Sequence, residues 1–339
     1  MSIRVFEWLN EAWGELQRRR PALPHALLIQ GRSGLGKTAL ARLFAQALLC
    51  ESVDSEGLPC GVCQACRWFE QGNHPDFRQV EPEALAEAAP GEGEGGSKGG
   101  ASPSRQIRID QIRALQDFLT IGTHRGGLRV VIVRPAEAMN PATANALLKS
   151  LEEPPPGTLF LLVSSAPDRL LPTVRSRCQR VPVAVVSSPA AVEWLRGQGV
   201  KEPEAALRYA AYAPLAAAEE AAEFGPAREA VLAAFARRDT TALDLADACH
   251  GLPLPSVVEW LQKWVCDLAL VKRAGAVRYH LRQESALRAT ADSLELRPLL
   301  RFERSLYAAR AVAQHPLNPR LFLEDLFLRY LQLRESAHE

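Results

Sequence analysis

A chain of 339 residues is long enough for two or three domains with real cores, and 47% hydrophobic with 23% charged residues is ordinary globular composition. Forty basic against 39 acidic residues leave a net charge of +1, which excludes a whole-chain basic field for nucleic acid, so any DNA contact is local or shared with partners. No apolar run reaches membrane-spanning length, and residues 1–20 mix Glu, Arg and Trp where a signal peptide would be apolar; the expected compartment is the cytoplasm.

Residues 5–19 carry Phe6, Leu9, Trp13 and Leu16 at helical spacing, and Arg18, Arg19 and Arg20 read as the solvated basic end of that helix. Ala26, Leu27, Leu28 and Ile29 then form a short apolar run of the buried parallel-strand type. Directly after it, Gly31-Arg-Ser-Gly-Leu-Gly-Lys-Thr38 fits G-x-x-x-x-G-K-[ST] at every fixed position. Gly31, Gly34 and Gly36 let backbone N–H groups close around phosphate, Lys37 supplies a point charge, and Thr38 offers a hydroxyl to Mg²⁺ at a helix N-terminus. The predicted helix over 38–49 places Leu40, Leu43, Phe44 and Leu48 on one side. Strand, loop and helix in this order make the segment a complete P-loop, able to take ATP or ADP.

Cys50, Cys60, Cys63 and Cys66 follow, a C-x9-C-x2-C-x2-C cluster that uses four of the seven cysteines. Two overlapping C-x-x-C turns point thiolates inward, and Cys50 at the preceding helix end completes a tetrahedral Cys₄ zinc site. Redox disulfides are the rival, disfavoured in a reducing compartment and without a thioredoxin-like surround. A closed four-thiolate site has no open coordination position, so its expected role is structural.

Phe77–Val80 is a predicted strand, and the low-complexity stretch 91–104 lies within a Gly-rich insertion over 88–105 that can build no core. A helix is predicted over 107–119 from Ile109, Ile112, Leu115, Phe118 and Leu119. The strand 127–133 ends in Arg134-Pro135, where a P-loop ATPase needs carboxylates to support Mg²⁺ and to activate water. An arginine repels the metal and a proline carries no base, so Mg²⁺ has little support here; Glu137, on a connection of unspecified direction, is the candidate substitute. Asn140 caps a predicted helix to 153, stopped by Pro154, Pro155 and Pro156; a strand over 159–163 leads into Ser164 and Ser165, whose hydroxyls can face a nucleotide crevice. After a turn through Arg177 and Cys178 comes a last predicted strand, 180–186. Alternation from 25 to 186 predicts an open, mostly parallel α/β sheet. Beyond it strand signals vanish: a small helical stretch runs to about 222, and after Phe224-Gly225-Pro226 longer amphipathic helices follow.

With these residues the chain resembles the bacterial clamp-loader subunits of the AAA+ class over nearly its whole length. The likeness rests on His25-Ala-Leu-Leu-Ile29 before the P-loop, the four cysteines, His74-Pro75-Asp76, Asn145-Ala-Leu-Leu-Lys-Ser-Leu-Glu-Glu-Pro154 and Ser176-Arg177-Cys178. It implies three parts: an ATPase-like domain with its zinc module (1–186), a helical lid (187–222) and a helical collar (223–339) that joins other subunits in a ring. Motor subunits of the family carry Asp-Glu where this chain has Arg134-Pro135, and a lid arginine where it has Leu215; both losses imply a non-hydrolysing member, whereas the intact P-loop departs from members that have degraded it. The resemblance further implies that Arg177 projects into a neighbour's nucleotide site as a catalytic arginine in trans. It implies as partners the delta and gamma/tau subunits of the DNA polymerase III holoenzyme in a hetero-oligomer, and the sliding clamp and primed DNA through that complex. The rivals are a working ATPase motor subunit, for which the P-loop argues and the strand end argues against, and a zinc-containing nucleotide switch outside replication.

Overall fold

Three short apolar runs of the first half and two more polar segments at the edges pair into one parallel sheet. Its strands are β1 (Ala26–Gln30), β2 (Phe77–Val80), β3 (Arg129–Val133), β4 (Thr158–Ser164) and β5 (Gln179–Pro182), in the spatial order β2-β3-β4-β1-β5. In the computed structural model, which describes residues 6–86, 103–120, 127–184, 188–237, 239–313, 315 and 317–335, the chain divides into two units, Met1–Ala191 and Val192–Glu339. Register aligns Leu28 with Leu162 on one side of β1 and with Arg180 on the other. β3 and β4 are buried along their whole length, as parallel strands covered on both faces must be.

The first unit's helices are α1 (Asn10–Arg19), α2 (Lys37–Leu49), α3 (Gln64–Glu70), α4 (Ile109–Thr120), α5 (Pro141–Glu152) and α6 (Pro172–Ser176). The Asn140 side chain accepts from the Thr143 N–H at 2.9 Å, and Pro141 stands at the first helical position, where a missing N–H costs nothing. On one face of the sheet, Ile112 and Leu115 of α4 and Leu147 and Leu151 of α5 pack with Leu28, Val131, Phe160 and Leu162. The alternating residues Leu27, Ile132 and Leu161, equally buried, project to the other face. The strand expected over 180–186 is shorter, ending at Pro182. Of the Gly-rich insertion, residues 88–102 lie outside the described residues.

The second unit begins within α7 (Pro189–Gly197) and continues through α8 (Pro203–Tyr209), α9 (Pro214–Ala236), α10 (Ala242–Ala248), α11 (Leu254–Ala274), α12 (Glu284–Asp292), α13 (Leu296–Val312) and α14 (Pro319–Glu335). Trp260 and Trp264 of α11 pack with Phe235, Phe327 and Tyr330 in its core. The Trp264 indole donates to the Tyr330 hydroxyl at 2.9 Å, and that hydroxyl donates to the Phe235 carbonyl at 3.3 Å, so both polar tips are satisfied inside an apolar cluster. Gly225-Pro226 is not a helix end. α9 runs through it for 23 residues, so the border expected between 222 and 223 falls inside one helix. An internal proline costs about 3 kcal/mol. Burial of Val231, Leu232 and Phe235 beyond it outweighs that, at about 1.5–3 kcal/mol each.

Candidate nucleotide and metal sites

The P-loop leaves the carboxyl end of β1 and returns as α2, next to the end of β4. Gly36 adopts φ 90° as the residue before α2, a left-handed conformation that side chains resist, and a Cβ on Gly31 would lie 2.5 Å from the Val183 carbonyl oxygen. The loop is braced from outside: Trp8 Nε1 donates to the Leu35 carbonyl at 3.0 Å, and Phe6 and Leu9 pack on Gly36. Thr38 sits in the first turn of α2, half-buried. Lys37 is buried, and its ammonium donates to the Arg32 carbonyl at 2.5 Å and to Ser165 Oγ at 2.9 Å. Burial pulls its pKa down to about 8, partly countered by the nearby Glu137 carboxylate.

Glu137 lies in a short 3-10 turn, Ala136–Ala138, just past the end of β3. Its Oε1 accepts from the Ser165 N–H at 2.9 Å. The sequence names Glu137 and Ser165 separately; the turn brings them together, beside Lys37. Arg134, at the end of β3, is held by Glu81 at 2.5 Å. A paired cation and a proline thus follow β3 directly.

Arg177 caps the C-terminal end of α6 and is about one-third exposed. Its Nη1 donates to the Thr173 carbonyl at 3.0 Å and its Nη2 meets Glu152 Oε1, at the end of α5, at 2.5 Å. Sequence reading missed the Glu152 contact, although both residues fall inside quoted motifs. The neighbouring Arg175 is paired with Asp168 at 3.0 Å.

Cys50, just past α2, and Cys60, Cys63 and Cys66 bring their sulfurs within 4.8 Å of one another. Two of the separations are 3.6 Å (Cys50 to Cys60) and 3.9 Å (Cys50 to Cys63). A tetrahedral ion with Zn–S bonds of about 2.3 Å sets its sulfurs about 3.8 Å apart. The N–H groups of Cys60, Cys63 and Cys66 point at the sulfurs of Cys50, Cys60 and Cys63, at 3.3, 3.3 and 3.4 Å. Such donors favour thiolates: hydrogen bonds from the Val62 and Cys63 backbone lower the Cys60 thiol to about 7, while burial raises Cys50 and Cys66. The donor set fits a metal ion held by four thiolates. His74-Pro75-Asp76 is part of the same module's anchorage: His74 Nδ1 accepts from the Asp76 N–H at 3.1 Å, the Asp76 carbonyl accepts from Val130 at 3.0 Å, and Trp68 of α3 packs edge-on to the His74 ring.

A complete phosphate loop following β1, between β4 and the edge strand β5 of a parallel sheet ordered β2-β3-β4-β1-β5, with an all-helical unit after it, defines a P-loop protein of the AAA+ class. Residues 11–187 match the family model described as DNA polymerase III, delta subunit. The chain is 35% identical over 289 residues to DNA polymerase III subunit delta-prime of Pseudomonas aeruginosa, covering 82% of this chain and 78% of that protein. It is 34% identical over 284 residues to the subunit of the same name from Escherichia coli, covering 81% and 79%. A solved DNA polymerase III gamma subunit-related protein from Thermotoga maritima superposes with a TM-score of 0.44 at 16% identity, over 95% of this chain and 99% of that one. The chain belongs to the DNA polymerase III delta-prime family.

Proposed function

We propose that this chain is a clamp-loader subunit of the bacterial DNA polymerase III holoenzyme that does not itself hydrolyse ATP, acting in the cytoplasm in a hetero-oligomer with delta and gamma/tau subunits to load the sliding clamp on primed DNA. Family membership supports the assembly, and one observation carries the non-hydrolysing part: β3 is followed directly by Arg134 and Pro135, with Arg134 tied to Glu81. A metal-supporting carboxylate and a water-activating base are absent from that strand end, and losing both removes several orders of magnitude of rate. Gly31, Gly34, Gly36, Lys37 and Thr38 would hold ATP or ADP without turning it over. The phosphates would lie on the loop's N–H groups and on the Lys37 ammonium. Arg177 would serve catalysis in trans, its planar guanidinium reaching the phosphates of a neighbouring subunit's nucleotide. Cys50, Cys60, Cys63 and Cys66 would hold one structural zinc that ties the excursion between α2 and β2. Residues 1–186 would be the ATPase-like domain, with the lid and collar functions carried by 187–222 and 223–339.

The test is ATP turnover by the purified chain, alongside capture of the native chain with its partners identified. Negligible turnover and co-purification of polymerase subunits are expected. Substantial turnover abolished by Lys37→Ala would establish the rival motor reading, and capture of partners unrelated to replication would remove the clamp-loader assignment.

A further inference from the structure

We propose that Glu137 is a specificity-determining residue of the phosphate site, setting the P-loop to take a nucleoside diphosphate in preference to a triphosphate. The inference rests on the reading that the P-loop holds nucleotide. Its starting point is that Ser165 is shared: Glu137 Oε1 accepts from its N–H at 2.9 Å, and its Oγ accepts from the Lys37 ammonium at 2.9 Å. Carboxylate and ammonium are therefore fixed on one residue at the carboxyl end of β4, in the crevice where ligands of open α/β sheets bind. Glu137 Oε2 is buried and accepts no hydrogen bond among the described residues, so its charge is directed at Lys37 through space rather than spent on a second donor.

A P-loop lysine normally serves the second and third phosphates. A diphosphate can reach Lys37 and leave the Glu137 carboxylate beside it as a counter-charge. A third phosphate brings further negative charge to the same ammonium, against a carboxylate held in a partly buried, low-dielectric corner. A cation could offset this repulsion if the strand end recruited one, but Arg134, bound to Glu81, stands there instead. The carboxylate thus acts on the third phosphate far more than on the second, and does so without touching the sugar or base. A subunit that keeps diphosphate would present a constant loop conformation to its neighbours.

Glu137→Gln is the informative change, since the amide oxygen can still accept from Ser165 and only the charge is removed. Calorimetric titrations of the full-length chain with ADP and with ATP, each with and without Mg²⁺, give the preference directly. Wild type should favour ADP, and Glu137→Gln should shift the ratio toward ATP by about tenfold or more while ADP affinity moves by less than about threefold. Weaker binding of Mg²⁺-ATP to the variant would overturn the proposal by making Glu137 a metal-supporting group, and an unchanged ratio would overturn it as well. If neither protein takes either nucleotide, the P-loop reading itself fails and the inference with it; a Lys37→Ala control that loses all binding marks the opposite case, in which the reading stands and the ratio alone decides.

Discussion

Removing the arginine at 177 would separate the catalysis in trans proposed for it from its contribution to the chain's own stability. Arg177 and Glu152 are 34% and 48% exposed in their side chains, and an ion pair that open contributes about 0–1 kcal/mol. The hydrogen bond to the Thr173 carbonyl lies at the same exposed helix end and adds little. Arg177→Ala should therefore leave the fold, bound zinc and complex assembly intact, with a melting temperature within a few degrees of wild type. An arginine supplied in trans accelerates phosphoryl transfer by about 10³- to 10⁵-fold in GTPases, or about 4–7 kcal/mol of transition-state stabilisation. Within a ring of several sites, total ATPase activity should drop by the share of the one site affected, whereas clamp loading, which needs the sites to act together, should drop by more. The assay is DNA- and clamp-stimulated ATPase and clamp loading by reconstituted complexes, with Arg177→Lys as a control that restores charge but not the planar fork. Complexes carrying Arg177→Ala that load clamps at the unmodified rate would refute the assignment, as would a loss traced wholly to failed assembly.

Native protein should contain one zinc per chain by metal analysis, and Cys63→Ser should lose most of it together with amide protection over residues 50–70; full metal content in the variant, or none in wild type, would remove the site. Asp267, fully buried, accepts from the N–H groups of Arg278, Tyr279 and His280 at 2.8, 3.0 and 2.8 Å and from His280 Nδ1 at 2.9 Å. Asp267→Ala orphans all of these donors and should cost about 3–5 kcal/mol by urea unfolding; a loss under about 1 kcal/mol would mean the 276–280 turn finds other acceptors. Because burial lowers Lys37 to about 8, the free protein loses the Lys37 proton as pH rises through that value, and bound phosphate, which raises the pKa again, must then take a proton up. Nucleotide affinity should accordingly fall about tenfold between pH 7 and pH 9, and a flat profile in titrations would show that Lys37 does not carry the phosphate charge.

The centre of the parallel sheet was legible because its signals are local: β1, β3 and β4 are apolar runs, and the P-loop fixes what precedes and follows it, whereas β2 (Phe-Arg-Gln-Val) and β5 (Gln-Arg-Val-Pro) carry weaker signals. The Cys₄ cluster was legible for the same reason, spacing alone bringing four thiols within reach. What escaped depends on how short connections turn. Whether Glu137 faces the crevice is decided by the 3-10 turn after Pro135, and nothing in Ala-Glu-Ala dictates that direction. The Glu152 partner of Arg177 joins the end of α5 to the end of α6 across an intervening strand, a distance in sequence that no periodicity spans. At Gly225-Pro226 local chemistry pointed to a break, and tertiary burial of the helix beyond it prevailed.

An intact phosphate motif next to a strand end that carries no acid looks contradictory only if the motif serves nucleotide alone. In this chain its residues also hold the first unit together. Leu35 is buried and its carbonyl is taken by Trp8; Gly36 is the floor on which Phe6 and Leu9 rest; Gly31 passes too close to Val183 for any side chain; and Lys37, although charged, is buried between Arg32 and Ser165. Substituting these residues would disturb the packing of Phe6, Trp8, Leu9 and Val183 against the loop, whether or not ATP is ever turned over. Arg134 and Pro135, by contrast, offer no carboxylate at the end of β3, and Arg134 is tied to Glu81. The two halves of the site are thus under different physical constraints, and completeness of the loop is no argument for hydrolysis. Lys37→Met separates the constraints: it removes the phosphate charge while keeping a long apolar stem in the buried slot. It should abolish nucleotide binding yet retain a cooperative unfolding transition. Loss of that transition would mean that the ammonium's hydrogen bonds to Arg32 and Ser165, rather than the packing of its stem, hold the loop in place.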